Sequence, residues 1–299
     1  MQDQIRQFIE ARIRDDGLME TGVPGVRLFR ATQAVPCVPA VYEPSVVAIA
    51  SGTKEAVLGG ARYVYDNSQY LCCPTSMPVK AGTPAASAQN PLYGVYITLD
   101  PRMMGEVAIE MENAGGAGLG ALDGGGAGAG QGIGLAHWDA GFGDALMRLL
   151  HLADSETDAA VLGGARLREL YYAILRGEAG GFARQAFGVG NAISRSIAHL
   201  ASNLDAPISI ADLAIRAGMS RAVFHRRFKA ATTMSPIQFV KAMRLNSAAM
   251  KIAGGMTVNE AALGVGYVSP SQFSREFKRM YGQSPRHWSH AHPVPAEMA

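Results

Sequence analysis

Two short strings carry side chains suited to reading the edges of nucleic-acid bases. SRAVFHRRFKA spans residues 220–230 and SPSQFSREFKR spans residues 269–279, an offset of 49 positions. Each runs Ser, three residues, Phe, one residue, Arg, one residue, Phe-Lys. Arginine presents a planar fork that bonds guanine in the major groove, and glutamine does the same for adenine. On a helix begun by the serine, Phe224 and Phe228 share one face, as do Phe273 and Phe277. Paired aromatics at that spacing are core. Ala222, His225, Arg226 and Lys229 then lie on another side in the first copy, and Ser271, Gln272, Arg275 and Arg279 in the second.

The elements that would hold these stripes are also written twice. Ser209-Ile-Ala-Asp212 and Thr257-Val-Asn-Glu260 read as helix starts of the capping-box kind. Short apolar helices follow and stop near Gly218 and Gly266, where glycine can turn left-handed. The reading helix comes next, then Ser235-Pro236 or Ser284-Pro285, serine capping and proline filling the first turn. Two short helices joined at a glycine make a helix-turn-helix. Between the copies, SPIQFVKAMRLNSAAMKIAGG carries helical apolar spacing. A helix of about 18 residues spans roughly 27 Å, enough to place two readers near one DNA turn, about 34 Å, apart. Charge agrees: residues 191–299 hold 13 Lys and Arg against 5 Asp and Glu, a net +8, whereas the other 190 residues hold 14 against 20, a net −6. A basic part joined to an acidic one suits a polyanionic partner.

Residues 191–289 closely resemble the AraC/XylS family of bacterial transcription regulators, through ISIADLAIRAGMSRAVFHRRFKAATTMSPIQFVKAMRL and AALGVGYVSPSQFSREFKRMYGQSPRHW. The resemblance implies double-stranded promoter DNA as partner, and RNA polymerase as a second partner if the protein is an activator. It implies base readout by Arg221, Ala222, His225 and Arg226 in the first unit and by Ser271, Gln272 and Arg275 in the second. Phosphate contacts would come from Ser220, Lys229, Lys241, Ser269 and Lys278. Ala222 is small for a reader and reaches only a thymine methyl, and AALGVGY is glycine-rich for a helix.

Residues 26–100 change texture. RLFRAT, PSVVAIASG, KEAVLGGARYVYD, QYLCCP and LYGVYITLD are β-rich runs cut by Gly, Pro and Asn, and Gly59-Gly60 suits a tight hairpin. Short antiparallel strands in this number make a small barrel or sandwich. The run VYEPSVVAIASGTKEAVLGGARYVYDNSQYL is similar to the cupin-like sensor domain of AraC-type regulators. No histidine precedes His137, so a His-built metal site in the barrel is excluded, and no Ser/His/Asp set falls there. The expectation is a non-enzyme without metal or cofactor. An apolar cavity lined by Tyr42, Tyr63, Tyr65, Tyr70, Tyr93 and Tyr96 would take a small-molecule effector. Arg27, Arg30, Arg62 and Lys80 are candidates for an anionic effector such as a nucleotide. Cys37, Cys72 and Cys73 are candidates for a thiol-based redox or aldehyde sensor, with at most one of the adjacent pair entering the barrel. A DNA-modifying enzyme with this DNA-binding half would need a metal-binding Cys set or a Pro-Cys-His-Arg-type site, and neither occurs.

GGAGLGALDGGGAGAGQGIG, residues 115–134, holds eleven glycines. It fits neither G-x-G-x-x-G nor a P-loop and reads as a flexible linker. DAGFGDALMRLLHLAD and DAAVLGGARLRELYYAILRGEAGG follow as amphipathic helices. In the family such a pair commonly mediates dimerisation, so a homodimer is expected. The amphipathic start MQDQIRQFIEARIRDDG lacks a signal peptide's apolar core, no apolar run spans a membrane, and three cysteines make no disulfide framework. These features fit the cytoplasm. The expected architecture is α+β: a cupin-like β-barrel over 1–113, a Gly-rich linker or loop over 114–134, a helical pair over 135–190, an all-α domain with two helix-turn-helix units over 191–290, and a flexible tail over 291–299.

Overall fold

The computed structural model describes residues 2–115, 132–188 and 191–291. Among these residues ten strands form two sheets. The larger has the order β1 (Gly17–Glu20), β2 (Val26–Ala31), β9 (Leu92–Thr98), β4 (Ser45–Ser51), β7 (Gln69–Cys73) and β10 (Gly134–His137); the smaller runs β3 (Val35–Tyr42), β8 (Met77–Thr83), β5 (Lys54–Leu58) and β6 (Ala61–Tyr65). All pairings are antiparallel. The sheets face one another, and Phe29, Val47, Ile49, Leu71 and Cys73 of the larger meet Ala40, Tyr42, Ala56, Leu58 and Val79 of the smaller. The other face of the larger sheet is also covered, which is why SVVAIAS reads as an unbroken apolar run rather than an alternating one. Gly59 and Gly60, at φ 59° and 89°, close β5 onto β6 as a two-residue hairpin needing two positive φ values.

Four strands did not stand out in the sequence. β3 contains Pro36 and Pro39, and β8 contains Pro78, all strand-breaking signals. β3 pairs only with β8 and so lies at a sheet edge, where a missing N–H costs little. β1 and β10 have four residues each. β10 also shortens the expected linker. Ile133 is fully buried, and Gly134 starts a strand paired with Cys72. Residues 116–131 of that linker, and the tail from 292, lie outside the described residues.

Helices α1 (Gln2–Glu10), α2 (Pro101–Gly115), α3 (Ala140–Leu150) and α4 (Glu156–Arg176) cover the outer face of the larger sheet. Phe142, Leu146, Leu149, Leu150, Leu170, Tyr171, Ile174 and Leu175 are buried there. The apolar stripes that pointed to a protomer interface are thus spent on the protein's own sheet. What α4 leaves exposed is Val161, Leu162 and Tyr172.

After α5 (Gly180–Phe187) and α6 (Ala192–Ser202) come the two units: α7 (Ile210–Arg216) with α8 (Arg221–Thr232), then α10 (Val258–Leu263) with α11 (Pro270–Tyr281). The helix α9 (Pro236–Ala253) joins them, and α12 (Pro285–Ala291) follows. Ser209, Ser220, Ser235, Thr257 and Ser269 each cap the helix behind them, with full capping boxes at Ser235/Gln238 and Thr257/Glu260. Each such cap contributes about 1 kcal/mol. Phe239 and Met243 of α9 pack with Phe224 and Phe228, while Leu245, Ala249 and Ile252 pack with Phe273, Phe277 and Trp288. The first unit's core continues into the space between the sheets, whereas the second unit has its own.

Candidate DNA interface and effector cavity

On α8, Arg221, Ala222, Arg226 and Lys229 are exposed and His225 is half-buried; on α11, Ser271, Gln272, Arg275, Lys278 and Arg279 are exposed. The Phe pairs are fully buried. The packed sensor therefore leaves both basic stripes open to solvent. Ser220 and Ser269 spend their oxygens as acceptors for Val223 N and Gln272 N, which leaves each hydroxyl hydrogen available at a helix N-terminus. Lys241 differs from expectation. Its ammonium lies 3.2 Å from Glu276 Oε2, so it ties α9 to α11 instead of standing free. Glu276 also accepts from Tyr267 Oη at 2.8 Å. Burial works to raise its carboxyl, but the bonds from Tyr267, Lys241 and Gln272 outweigh that and hold it below the usual range.

Asn246, in the middle of α9, was missed by the sequence reading. It is 3% exposed. Its Nδ2 donates to Ala40 O of β3 and Val79 O of β8, both at 2.8 Å, and its Oδ1 accepts from Tyr281 Oη at 2.7 Å. One side chain thus joins the smaller sheet to the end of the second reading helix. A buried Asn in an apolar helical run was the available signal, since burying an amide without partners is costly.

Between the sheets lies a cavity of about 220 Å³ lined by Phe29, Val38, Tyr42, Val47, Leu92 and Tyr96, together with Arg27, Glu43, Lys54 and Thr83. Of the six tyrosines expected here, Tyr42 and Tyr96 line it. Tyr63 and Tyr65 pack into the same core, while Tyr70 and Tyr93 face the helices on the other side of the sheet. Tyr70 stacks on Phe142 at 4.2 Å. The hydroxyls of Tyr42 and Tyr65 sit side by side and find no partner outside the pair. Two of the cationic candidates are committed elsewhere. Arg62 is bound by Glu55 on the outer face, and Arg30 lies 3.2 Å from Asp16. Lys80 is exposed, so of the four only Arg27 reaches the cavity.

The cysteines give the thiol reading little support. Cys72 and Cys73 do point to opposite faces, but both faces are buried. Burial pushes the Cys72 thiol up to about 12 and Cys73 well above its ordinary value. Cys37 is half-buried and also raised, by burial and by Glu55 nearby. Thiolates, the reactive form, are scarce at all three. Among the described residues no group of three His, Cys, Asp or Glu could hold a metal ion, and no helix is long and apolar enough to cross a membrane.

Residues 22–182 match the family described as AraC-type transcriptional regulator N-terminus, and residues 213–291 match a helix-turn-helix domain. The chain belongs to the AraC-type transcriptional regulators. MtrA of Neisseria gonorrhoeae is 43% identical over 70 residues, covering 23% of each protein. SoxS of Escherichia coli is 28% identical over 95 residues, 31% of this chain and 89% of SoxS. The chain spans between 23% and 37% of the length of the first three curated relatives it matches. The fold of the whole AraC-type chain is shared with ToxT of Vibrio cholerae, solved with an unsaturated fatty acid bound. That structure aligns over 93% of this chain and 97% of its own, with a TM-score of 0.55 and 11% identity.

Proposed function

We propose that this AraC-type protein is a non-enzymatic regulator that binds promoter DNA through both helix-turn-helix units and answers to a small molecule held between its two sheets. The supporting observation is the pair of solvent-open basic stripes on α8 and α11, mounted on opposite halves of one helix. α8 carries Arg221, Arg226, Arg227 and Lys229 and no acid. The single acid on α11, Glu276, is neutralised by Lys241. In this reading Arg221, Ala222, His225, Arg226, Ser271, Gln272 and Arg275 face base edges, and Ser220, Lys229, Ser269 and Lys278 face phosphates. Lys241 reaches phosphate only by leaving Glu276. The exposed Val161, Leu162 and Tyr172 of α4 are the surface through which a homodimer would form, in the cytoplasm where promoter DNA lies.

Gel-shift titration on a selected promoter and on scrambled DNA tests this. Arg226→Ala and Arg275→Ala are each expected to cost about 1–3 kcal/mol on the selected site and little on scrambled DNA. Lys229→Ala should weaken both alike and lower the salt slope by about one. Equal losses on both DNAs for the arginine variants would refute the assignment of roles.

A further inference from the structure

The cavity between the sheets contains a charge that no described residue neutralises. Lys54, the first residue of β5, is 9% exposed and lines the cavity. It forms no hydrogen bond or ion pair with any described residue. The neighbouring charges are all engaged elsewhere. Glu55, on the opposite face of β5, holds Arg62 and sits 3.8 Å from Cys37. Glu43 accepts from Ser76 Oγ at 2.6 Å. Arg27 lies 3.9 Å from Glu20 and 4.7 Å from the Tyr96 ring. A buried lone ammonium is normally paired or absent.

Its neighbours across the sheet are polar. The register that sets Glu55 against Gly82 places Thr83 across from Lys54 on one side, and Tyr65 lies across from it on the other. The Thr83 hydroxyl is buried without a partner. The remaining wall is mainly apolar, with Phe29, Val38, Val47 and Leu92, and its other charged groups are Arg27 and Glu43, engaged as described. The volume of about 220 Å³ suits a small organic molecule.

We propose that this cavity takes a small organic monocarboxylate, its anion set on Lys54 Nζ with the Thr83 hydroxyl donating beside it, and its apolar body against Phe29, Val47 and Leu92. One ammonium and one hydroxyl match a single negative charge; a phosphate dianion would arrive with twice the charge and three strong acceptors. A neutral ligand would leave the ammonium uncompensated. Burial lowers Lys54 to about 8, so most of it still carries its proton at pH 7, and a bound carboxylate would restore its basicity. The inference rests on the reading of this domain as the effector site.

Calorimetry and thermal shift on the full chain, with benzoate and hexanoate against benzamide and hexanamide, test it. The acids are expected to bind at least 30-fold more tightly than their amides. Above the lysine's pKa their affinity should fall about tenfold per pH unit, because only the protonated amine pairs with them. Lys54→Met should lose acid binding at least 30-fold while raising the melting temperature of the unliganded protein at pH 7, since an uncompensated charge is removed. Thr83→Val should lose several-fold. Equal binding of acid and amide, retained binding in Lys54→Met, or no binding of either acid at 10 mM overturns the proposal. A borohydride-trapped adduct of hexanal on Lys54, with no acid binding, would replace it by imine chemistry. Acids that bind through Lys54 yet leave DNA affinity unchanged would keep the anion site and sink the effector reading. A neutral compound that stabilises the protein and shifts DNA affinity would do the reverse.

Discussion

The contact most open to a quantitative test is Asn246. Its three hydrogen bonds reach Ala40 O, Val79 O and Tyr281 Oη. A neutral bond contributes about 1 kcal/mol net, and stranding a buried partner costs about 1–3 kcal/mol. Asn246→Ala should therefore cost about 3–5 kcal/mol, the three bonds plus part of the stranding. Tyr281→Phe removes one bond and orphans Asn246 Oδ1, so about 1–2 kcal/mol is expected. The double variant should cost less than the sum by about 1 kcal/mol, because the second substitution then removes a hydroxyl already without its acceptor. Asn246→Asp is nearly isosteric, yet an ionised carboxylate only accepts and would face two carbonyl oxygens. It should be worse than alanine at pH 8. Urea titration of the full chain, followed by tryptophan fluorescence and by circular dichroism, reads these as midpoint shifts at constant slope. Trp288 packs against Tyr281 with ring centroids 5.2 Å apart and so reports on the affected end. Strict additivity of the two single losses, or an aspartate variant as stable as wild type, would refute this hydrogen-bond arrangement.

Thr233 ends α8 in a left-handed conformation at φ 63°, the lone non-glycine with positive φ among the described residues, whereas the equivalent position in the second unit is Gly282 at φ 77°. A left-handed β-branched residue costs about 1–2 kcal/mol, so Thr233→Gly should raise the unfolding midpoint by a few degrees; a lower midpoint would show that the threonine's packing outweighs its strain. The thiols supply the remaining test. With Cys72 up near 12, about one molecule in ten thousand carries that thiolate at pH 8. Iodoacetamide should label Cys37 slowly, and Cys72 and Cys73 only after unfolding, as mass spectrometry would show. Rapid native labelling of all three would revive a thiol sensor.

The helical half was legible because its signals are local. Serine and threonine caps, Gly218 and Gly266, and Phe pairs four apart each specify their own turn, and writing them twice removes ambiguity. The sheets were half-legible. Alternation and Gly59-Gly60 marked β2, β4, β5, β6, β7 and β9, but Pro36 and Pro39 hid β3, whose edge position only the pairing reveals. The cavity charge was not legible. Arg30 and Arg62 look like Lys54 in sequence, and what separates them is that Asp16 and Glu55 lie within reach of the arginines while no acid among the described residues pairs with the lysine. For the same reason a stripe such as Phe142, Leu146 and Leu149 shows that a face is buried without showing against what.

The hairpin tip between β5 and β6 touches the far end of the first reading helix. A side-chain carbon at position 59 would overlap Thr233 Oγ1. The strand that begins at Lys54 thus terminates against the cap of α8. Residue 59 must therefore stay glycine for the hairpin to seat against this cap, since any side chain there would have to push Thr233 aside.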